Sequence, residues 1–217
     1  PTLVSDTRDF MDRFKPVPGR PLTFTAPGLV QGKGVGSVVF MPFFRLHDAR
    51  YVMYWPYSTP ANLQAMQARA ADGEKERLAL NALTIDQVAP GEQQPESDHF
   101  FKSDGGEAGI NQGKHWRHAT GWFSYDLTDR KGEASALRLT YARGDAGRKF
   151  DIVVNGQLLA EVTLDDQAAQ PFYTVDYALP PSLVAAAKGK LVVKFVAKPG
   201  SIAGGLYGLR LLRIYPK

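Results

Sequence analysis

The sequence predicts an all-β fold, a jelly-roll β-sandwich that is preceded by a partial β-sheet and a helical connector. Apolar residues recur at every second position along several segments of the C-terminal half, as Phe150, Ile152 and Val154 do on one strand face. Asn155-Gly156 follows directly and supplies the two positive φ angles that a type I′ hairpin turn requires. The chain also contains 21 Gly and 15 Pro, a content that suits many short strands joined by turns.

The β-sandwich is predicted over residues 91–217. Alternating patterns predict eight strands, over residues 99–102, 121–127, 136–143, 149–155, 157–164, 172–178, 191–197 and 206–215. A short helix is predicted to begin at Pro180-Pro181 and to end at Gly189. Evenly spaced strands with one short helix are typical of a jelly roll.

Two smaller parts precede the sandwich. Residues 1–57 contain three short strand patterns, at 22–26, 37–41 and 49–55, and we expect them to form a partial β-domain, the end of a larger β-sandwich. Residues 58–90 are predicted to be a helical connector and loop, capped by Ser58 or Thr59, with a kink or break at Gly73. Residues 88–97, rich in Pro, Gly and Gln, mark the linker.

Composition excludes several classes of function. The chain has no Cys, which rules out disulfides, zinc–thiolate sites and cysteine nucleophiles. The net charge of +4 is spread thinly, so we expect no nucleic-acid partner. No apolar run approaches the ~18–20 residues of a membrane span, so no membrane partner is expected. Because the chain begins with Pro1, we expect a processed product or a fragment.

Aromatic and polar residues of the central part predict a carbohydrate site. Sugar rings stack on aromatic faces, while carboxylates and guanidinium groups bond the hydroxyls. The predicted platforms and polar partners are Trp116, Trp122, Arg117, Glu107, Arg143 and Asp145, with Trp116 expected in a loop. The alternative is that these aromatic side chains fill the sandwich core.

The sequence contains two candidate metal sites. Residues 103–109 are expected to form a Gly-rich loop, and Asp98, Asp104 and Glu107 supply oxygen ligands that suit a structural calcium ion. The alternative is a solvated turn. His115 and His118, three residues apart, would share a face only on a helix, which the flanking Gly113 and Gly121 disfavour.

Longer strings carry a resemblance to a known family. Residues 40–55 resemble the end of the β-domain that follows the catalytic barrel in family 127-like glycoside hydrolases, the β-L-arabinofuranosidase group. Residues 88–96, 118–126, 148–156 and 204–212 resemble the C-terminal module of many of its members, which is similar to galactose-binding-like domains.

The resemblance implies a role without catalysis. In that family an (α/α)₆ barrel carries the cysteine nucleophile and the zinc ligands, and this chain has neither barrel nor Cys. We therefore predict a non-catalytic accessory region that binds a plant-type oligo- or polysaccharide or braces the missing catalytic barrel, in the periplasm or secreted, with the cytoplasm left open. The alternatives are a purely structural interaction module, in which Tyr51, Tyr54 and Trp55 belong to an interface, and an independent enzyme.

Overall fold

The structure is a computed structural model that describes residues 1–6, 10–36, 38–45, 56–165 and 168–213. The chain divides into two compact units, Pro1–Leu78 and Ala79–Lys217. The predicted division at residues 57 and 90 stays a prediction of domain organisation. The strand predicted over residues 49–55, and with it Tyr51, Tyr54 and Trp55, lies outside the described residues.

The first unit holds short strands in two small sheets. The strands are β1 Thr2–Val4, β2 Lys15–Pro16, β3 Phe24–Thr25, β4 Val30–Gln31, β5 Val39–Phe40 and β6 Tyr57–Ser58. One sheet has the order β4-β1-β6 and the other the order β2-β3-β5. This is the partial β-sheet that the sequence predicts, built from strands too short to form a sandwich by themselves.

The predicted helix is present as α1, which spans Pro60–Leu83. The Asn62 N–H donates to Oγ1 of Thr59 at 3.2 Å, so Thr59 caps the helix. The helix runs through Gly73 without the predicted kink or break, and none of its residues is buried. Among the described residues, no helix combines the length and the apolar character needed to cross a membrane.

The second unit is mostly β, as predicted. Its strands are β7 Thr84–Val88, β8 Lys102–Asn111, β9 Lys114–Thr128, β10 Ala136–Ala142, β11 Lys149–Val154, β12 Gln157–Thr163, β13 Phe172–Ala178, β14 Lys190–Ala197 and β15 Ala203–Leu212. They pair in the order β12-β11-β14-β9-β15-β10-β13, with β7 beside β15 and β8 beside β9. Two short helices complete the unit, α2 Gln93–Asp98 and α3 Pro181–Ala187.

The long strand β9 folds this sheet into two layers. Its C-terminal half pairs with β14, whereas its N-terminal half pairs with β15, so β12-β11-β14-β9 faces β13-β10-β15-β7. The rings of Tyr141 on β10 and Phe150 on β11 meet between the layers, 6.2 Å apart. Phe195 stacks on Phe123 at 4.7 Å in the same core. The predicted β-sandwich is therefore confirmed.

The hairpin predicted at Asn155-Gly156 is present, but two strands were missed. Asn155 and Gly156 have φ of 48° and 82°, and Val154 pairs with Gln157 across the turn. The segments predicted as connector and Gly-rich loop instead form β7 and β8. Polar and glycine residues dominate both, so neither shows the apolar alternation of a strand with one buried face.

Gly204 provides the first testable prediction. Its φ is +83°, and a Cβ there would lie 2.8 Å from Cζ of Phe123, a ring fixed in the core. Gly156 is a matched control, because its φ is +82° and nothing lies within 4 Å. Both alanine variants incur left-handed strain of about 1–2 kcal/mol. We expect Gly204→Ala to lose about 1–3 kcal/mol more in urea unfolding, through overpacking; equal losses would contradict this account.

Candidate functional site

The hairpin formed by β8 and β9 presents the first functional side chains. Its turn is Gln112-Gly113, and both residues have positive φ. In register across the two strands, Glu107 faces His118 and Gly109 faces Trp116. A Cβ on Gly109 would lie 2.5 Å from Cζ2 of Trp116, so the indole packs directly on the glycine backbone.

His118 lies at the centre of a charged group. Its ring packs against that of Trp116, with centroids 4.6 Å apart and ring planes tilted by 30°. Its Nε2 lies 3.4 Å from Oε2 of Glu107, and its Nδ1 lies 3.4 Å from Nη1 of Arg148. Because a guanidinium can only donate, Nδ1 is the acceptor, and the ring proton sits on Nε2, facing the carboxylate.

A loop before β11 completes this group. Arg148 Nη2 pairs with Oδ1 of Asp145 at 2.6 Å, and both side chains are largely buried. Gly205, at an irregularity of β15, allows this close packing, because a Cβ there would lie 2.2 Å from Oδ2 of Asp145. We call Glu107, Trp116, His118, Asp145 and Arg148 the His118 cluster.

Burial changes the pKa of the Asp145 carboxyl group in this cluster. It raises the pKa of Asp145, while the positive charge of Arg148 and the ring of His118 act in the opposite direction. Asp145 is thus held in a partly dehydrated setting, beside donors that could be shared with a ligand. Glu107, by contrast, has 73% of its side chain exposed and can contact a ligand without rearrangement.

An aromatic edge and a hollow adjoin the His118 cluster. The Tyr207 hydroxyl accepts from Nδ2 of Asn111 at 3.2 Å, and its ring meets Phe172 edge-on at 4.8 Å. The charges of Asp145 and Arg148 both act on the pKa of Tyr207, which burial raises. Asn111 also lines a hollow of about 470 Å³ together with Arg143. The site therefore offers aromatic faces beside carboxylate, amide and guanidinium groups.

The structure brings together some of the predicted residues. Glu107, Trp116 and Asp145 lie in the His118 cluster, and Arg143 lines the hollow beside it. Trp116 lies on strand β9, so its predicted place in a loop is wrong. Polar flanking residues had suggested a loop, but cross-strand pairing with β8 imposes extended backbone on this segment.

Two predicted carbohydrate contacts are used elsewhere. Arg117 donates through Nε and Nη2 to the buried carboxylate of Glu96, and its guanidinium covers the ring of Phe101 at 4.3 Å. Trp122 lies under the ammonium group of Lys194, 3.8 Å from its ring centroid. As carbohydrate contacts, Arg117 and Trp122 therefore remain predictions only. Arg117 has a structural role, because it pairs with the buried carboxylate of Glu96.

The predicted metal ligands do not come together. Within the described ranges, no group of three or more His, Cys, Asp or Glu side chains could hold a metal ion. Asp98 bonds to Gln94 on α2, whereas Asp104 and Glu107 lie on β8. The structure thus gives no support to the calcium site at these three residues, which stays a prediction. His115 and His118 lie three apart on β9, so they point to opposite faces of the sheet.

His118, Arg148 and Tyr207 were not predicted as site residues. Sequence spacing gives no reason to join β9, the loop after β10 and β15, because their contacts are made across the sandwich. The adjacent glycines Gly204 and Gly205 were the available signal, since paired glycines in a strand indicate a close approach of another group.

A second cleft, of about 540 Å³, lies beside the C-terminal ends of α2 and β9. Its carboxylates are already engaged. Asp86 contacts Nε2 of His99 and accepts from the Thr128 N–H, Asp126 pairs with Lys190, and Asp129 accepts two backbone N–H groups. We place the candidate site at the His118 cluster instead, because there aromatic rings lie beside carboxylate and guanidinium groups.

Comparison with known families covers both units. A model described as a family of unknown function, DUF6805, matches residues 79–212, more than half of the chain. The chain belongs to the DUF6805 family. The DUF6805 segment contains the whole His118 cluster. A second model, DUF4986, described as a domain of unknown function, matches residues 1–57. No curated protein matches the chain.

Several solved structures share a distant likeness. The extracellular domain of ANXUR1 from Arabidopsis thaliana has a TM-score of 0.43 and 15% identity, with 59% of this chain and 42% of that chain covered. A native family 35 carbohydrate binding module from Clostridium thermocellum has a TM-score of 0.37 and 17% identity, with 57% of this chain and 95% of that chain covered. A Podospora anserina GH26-CBM35 β-(1,4)-mannanase has a TM-score of 0.37 and 13% identity, with 60% of this chain and 28% of that chain covered. The chain thus spans about two fifths of the ANXUR1 domain, and these scores carry no functional argument.

Proposed function

We propose that the DUF6805 segment binds carbohydrate at the His118 cluster, as a non-catalytic accessory region of a glycoside hydrolase. The observation that carries this proposal is the pair of adjacent rings Trp116–His118, which is flanked by the carboxylates of Glu107 and Asp145 and by Arg148. An aromatic face takes the apolar side of a sugar ring, while charged groups at its edge bond the hydroxyls.

The hydrogen bonds of His118 favour binding over catalysis. In the part of the chain that the structure describes, its two ring nitrogens contact a carboxylate and a guanidinium, and neither bonds to a hydroxyl. Nucleophilic catalysis needs a base within hydrogen-bond reach of its nucleophile. The cluster is instead arranged as a set of charged hydrogen-bonding groups around an aromatic face.

The proposal also names the parent protein as a family 127-like glycoside hydrolase. It rests on the resemblance of residues 40–55 and of the C-terminal strings to family 127-like glycoside hydrolases. A plant-type oligosaccharide is the ligand that this context favours, with a periplasmic or secreted location. The alternative remains a structural module that braces a catalytic barrel and has no glycan site.

Calorimetric titration with arabinan, pectic and galactan oligosaccharides tests the proposal. We expect Trp116→Ala to weaken binding at least about tenfold, equivalent to ~1.4 kcal/mol, because it removes the stacking face. Trp122→Ala is the matched control and should retain the affinity of the parent, since Lys194 covers that ring. Glu107→Gln, at an exposed position, should also weaken binding with the fold intact.

Two results would contradict the proposal. One is the absence of binding by the unmodified chain to every oligosaccharide of the panel. The other is an equal affinity of Trp116→Ala and the parent while Trp122→Ala binds more weakly, which would move the site to the other tryptophan. Thermal unfolding of each variant shows whether a loss of binding reflects a loss of fold.

A further inference from the structure

A row of polar side chains crosses the outer face of one layer. Gln87, Arg210, Arg138 and Asp176 lie in register on the neighbouring strands β7, β15, β10 and β13. The flanking residues of these strands, such as Leu209 and Leu139, are fully buried in the core. Since side chains alternate between the two faces of a sheet, the polar row points away from the core.

The two arginines of this row differ in their partners. Arg138 makes a bidentate pair with Asp176, with distances of 2.7 and 2.6 Å. Arg210 lies directly opposite Arg138, and its Nη1 donates to the neutral side chains of Asn81 and Thr84, both at 2.9 Å. The side-chain hydrogen bonds of Arg210 in the described ranges thus go to neutral groups.

The charge on Arg210 is therefore poorly compensated. Burial and the nearby charge of Arg138 both lower the pKa of Arg210. Like charges directly opposite each other on paired strands are destabilising. A negatively charged ligand would remove this repulsion.

A hollow of about 430 Å³ lies over these arginines. Its floor is open because Gly208 has no side chain; a Cβ there would lie 3.1 Å from Oγ1 of Thr140. Thr140 and Thr174 face each other on β10 and β13 and both line the hollow, as do Gln87 and Pro95. We call this depression the Arg210 hollow.

We propose that the Arg210 hollow binds the carboxylate of an acidic sugar, a uronic acid. The guanidinium of Arg210 takes the carboxylate, because its planar fork matches the two oxygens. The hydroxyls of Thr140 and Thr174 and the amide of Gln87 bond the sugar hydroxyls, and Pro95 covers an apolar side of the ring. Tyr207 lines this hollow as well as the edge of the first site, but no member of the His118 cluster does, so the proposal stands even if that cluster binds no sugar.

The test compares an acidic disaccharide with its neutral counterpart. Digalacturonate, galactobiose and inorganic sulfate are titrated into the full chain by calorimetry. We expect digalacturonate to bind at least about tenfold more tightly than galactobiose or sulfate. Arg210→Gln should lower that affinity at least about tenfold, and Arg210→Lys should lower it less, because it keeps the charge but loses the fork.

The controls separate this site from others. Arg213→Gln removes a neighbouring, more exposed guanidinium that pairs with Glu133, and should leave digalacturonate binding unchanged. If Trp116→Ala abolishes digalacturonate binding and Arg210→Gln does not, the acidic sugar binds at the His118 cluster and this proposal is wrong. Equal binding of sulfate and digalacturonate would likewise overturn the assignment to a sugar.

Chemical-shift mapping on the unmodified chain tests the proposal without relying on variants that could misfold. In the unmodified chain, the backbone amides of Gln87, Gly208 and Arg210 should shift on addition of digalacturonate. If these amides do not move at saturating ligand, the proposal fails, whatever the variants do.

Discussion

Replacing Glu96 with alanine is expected to destabilise the second unit by about 3–5 kcal/mol, because it leaves a buried guanidinium without its partner. Glu96 is 5% exposed and accepts from Arg117, from the Gly91 N–H at 2.8 Å and from the Tyr125 hydroxyl at 2.7 Å. Burial raises the pKa of Tyr125, and the carboxylate of Glu96 adds to this rise, so the hydroxyl stays a donor.

The Glu96 prediction has a definite pH dependence. Burial raises the pKa of Glu96, but hydrogen bonds from Arg117, Gly91 and Tyr125 outweigh it, so the pKa is lowered on folding. A carboxyl of lowered pKa stabilises the fold above its unfolded pKa of about 4.3 and loses this contribution as the pH falls. The difference between the unmodified chain and Glu96→Ala should therefore shrink between pH 7 and pH 3.

Urea unfolding at both pH values provides the measurement. Glu92→Ala is the matched control, since Glu92 is exposed, lies four residues earlier and makes no side-chain cap bond. We expect it to change the free energy of unfolding by no more than about 0.5 kcal/mol. A loss below about 1 kcal/mol for Glu96→Ala at pH 7 would show that the network contributes little.

Replacing Phe195 with alanine is the second large change, with an expected loss of about 3–5 kcal/mol. Phe195 is fully buried, stacks on Phe123 at 4.7 Å and lies 6.4 Å from Phe150. Phe150 in turn meets Tyr141 of the facing layer. The truncation leaves a cavity in this aromatic chain, which links the two layers.

Phe100→Ala is the control for this truncation. The same atoms are removed, but Phe100 is 66% exposed, so its loss should cost no more than about 0.5 kcal/mol. Chemical denaturation of both variants measures the difference. Similar losses for the two would mean that core packing does not dominate the stability of this sandwich.

The core strands could be predicted from sequence, because a strand with one buried face has an apolar residue at every second position. Leu137, Leu139 and Tyr141 alternate with polar residues, and Leu191, Val193 and Phe195 occupy every second position of their strand. All six are fully buried. The strands β7 and β8 lack this alternation. They are held by backbone hydrogen bonds to β15 and β9, which any residue except Pro can make.

The two candidate sites were predicted to different degrees. Trp116, Glu107 and Asp145 could be chosen because their side-chain types suit sugar binding. His118, Arg148 and Tyr207 join them only through contacts between distant strands. Nothing in the sequence indicates that Gln87, Arg138, Asp176 and Arg210 form one row, because register between four strands decides it.

The sequence by itself determined a mostly-β chain, the Asn155-Gly156 turn, the helix that begins at Pro60, and the absence of any cysteine chemistry. These properties depend on neighbouring residues or on composition alone. The tertiary structure decided that Arg117 bonds to Glu96, that His118 contacts Arg148, and that Arg210 faces Arg138 and bonds to neutral side chains. Charges interact through space, so only the fold determines which of them compensate each other.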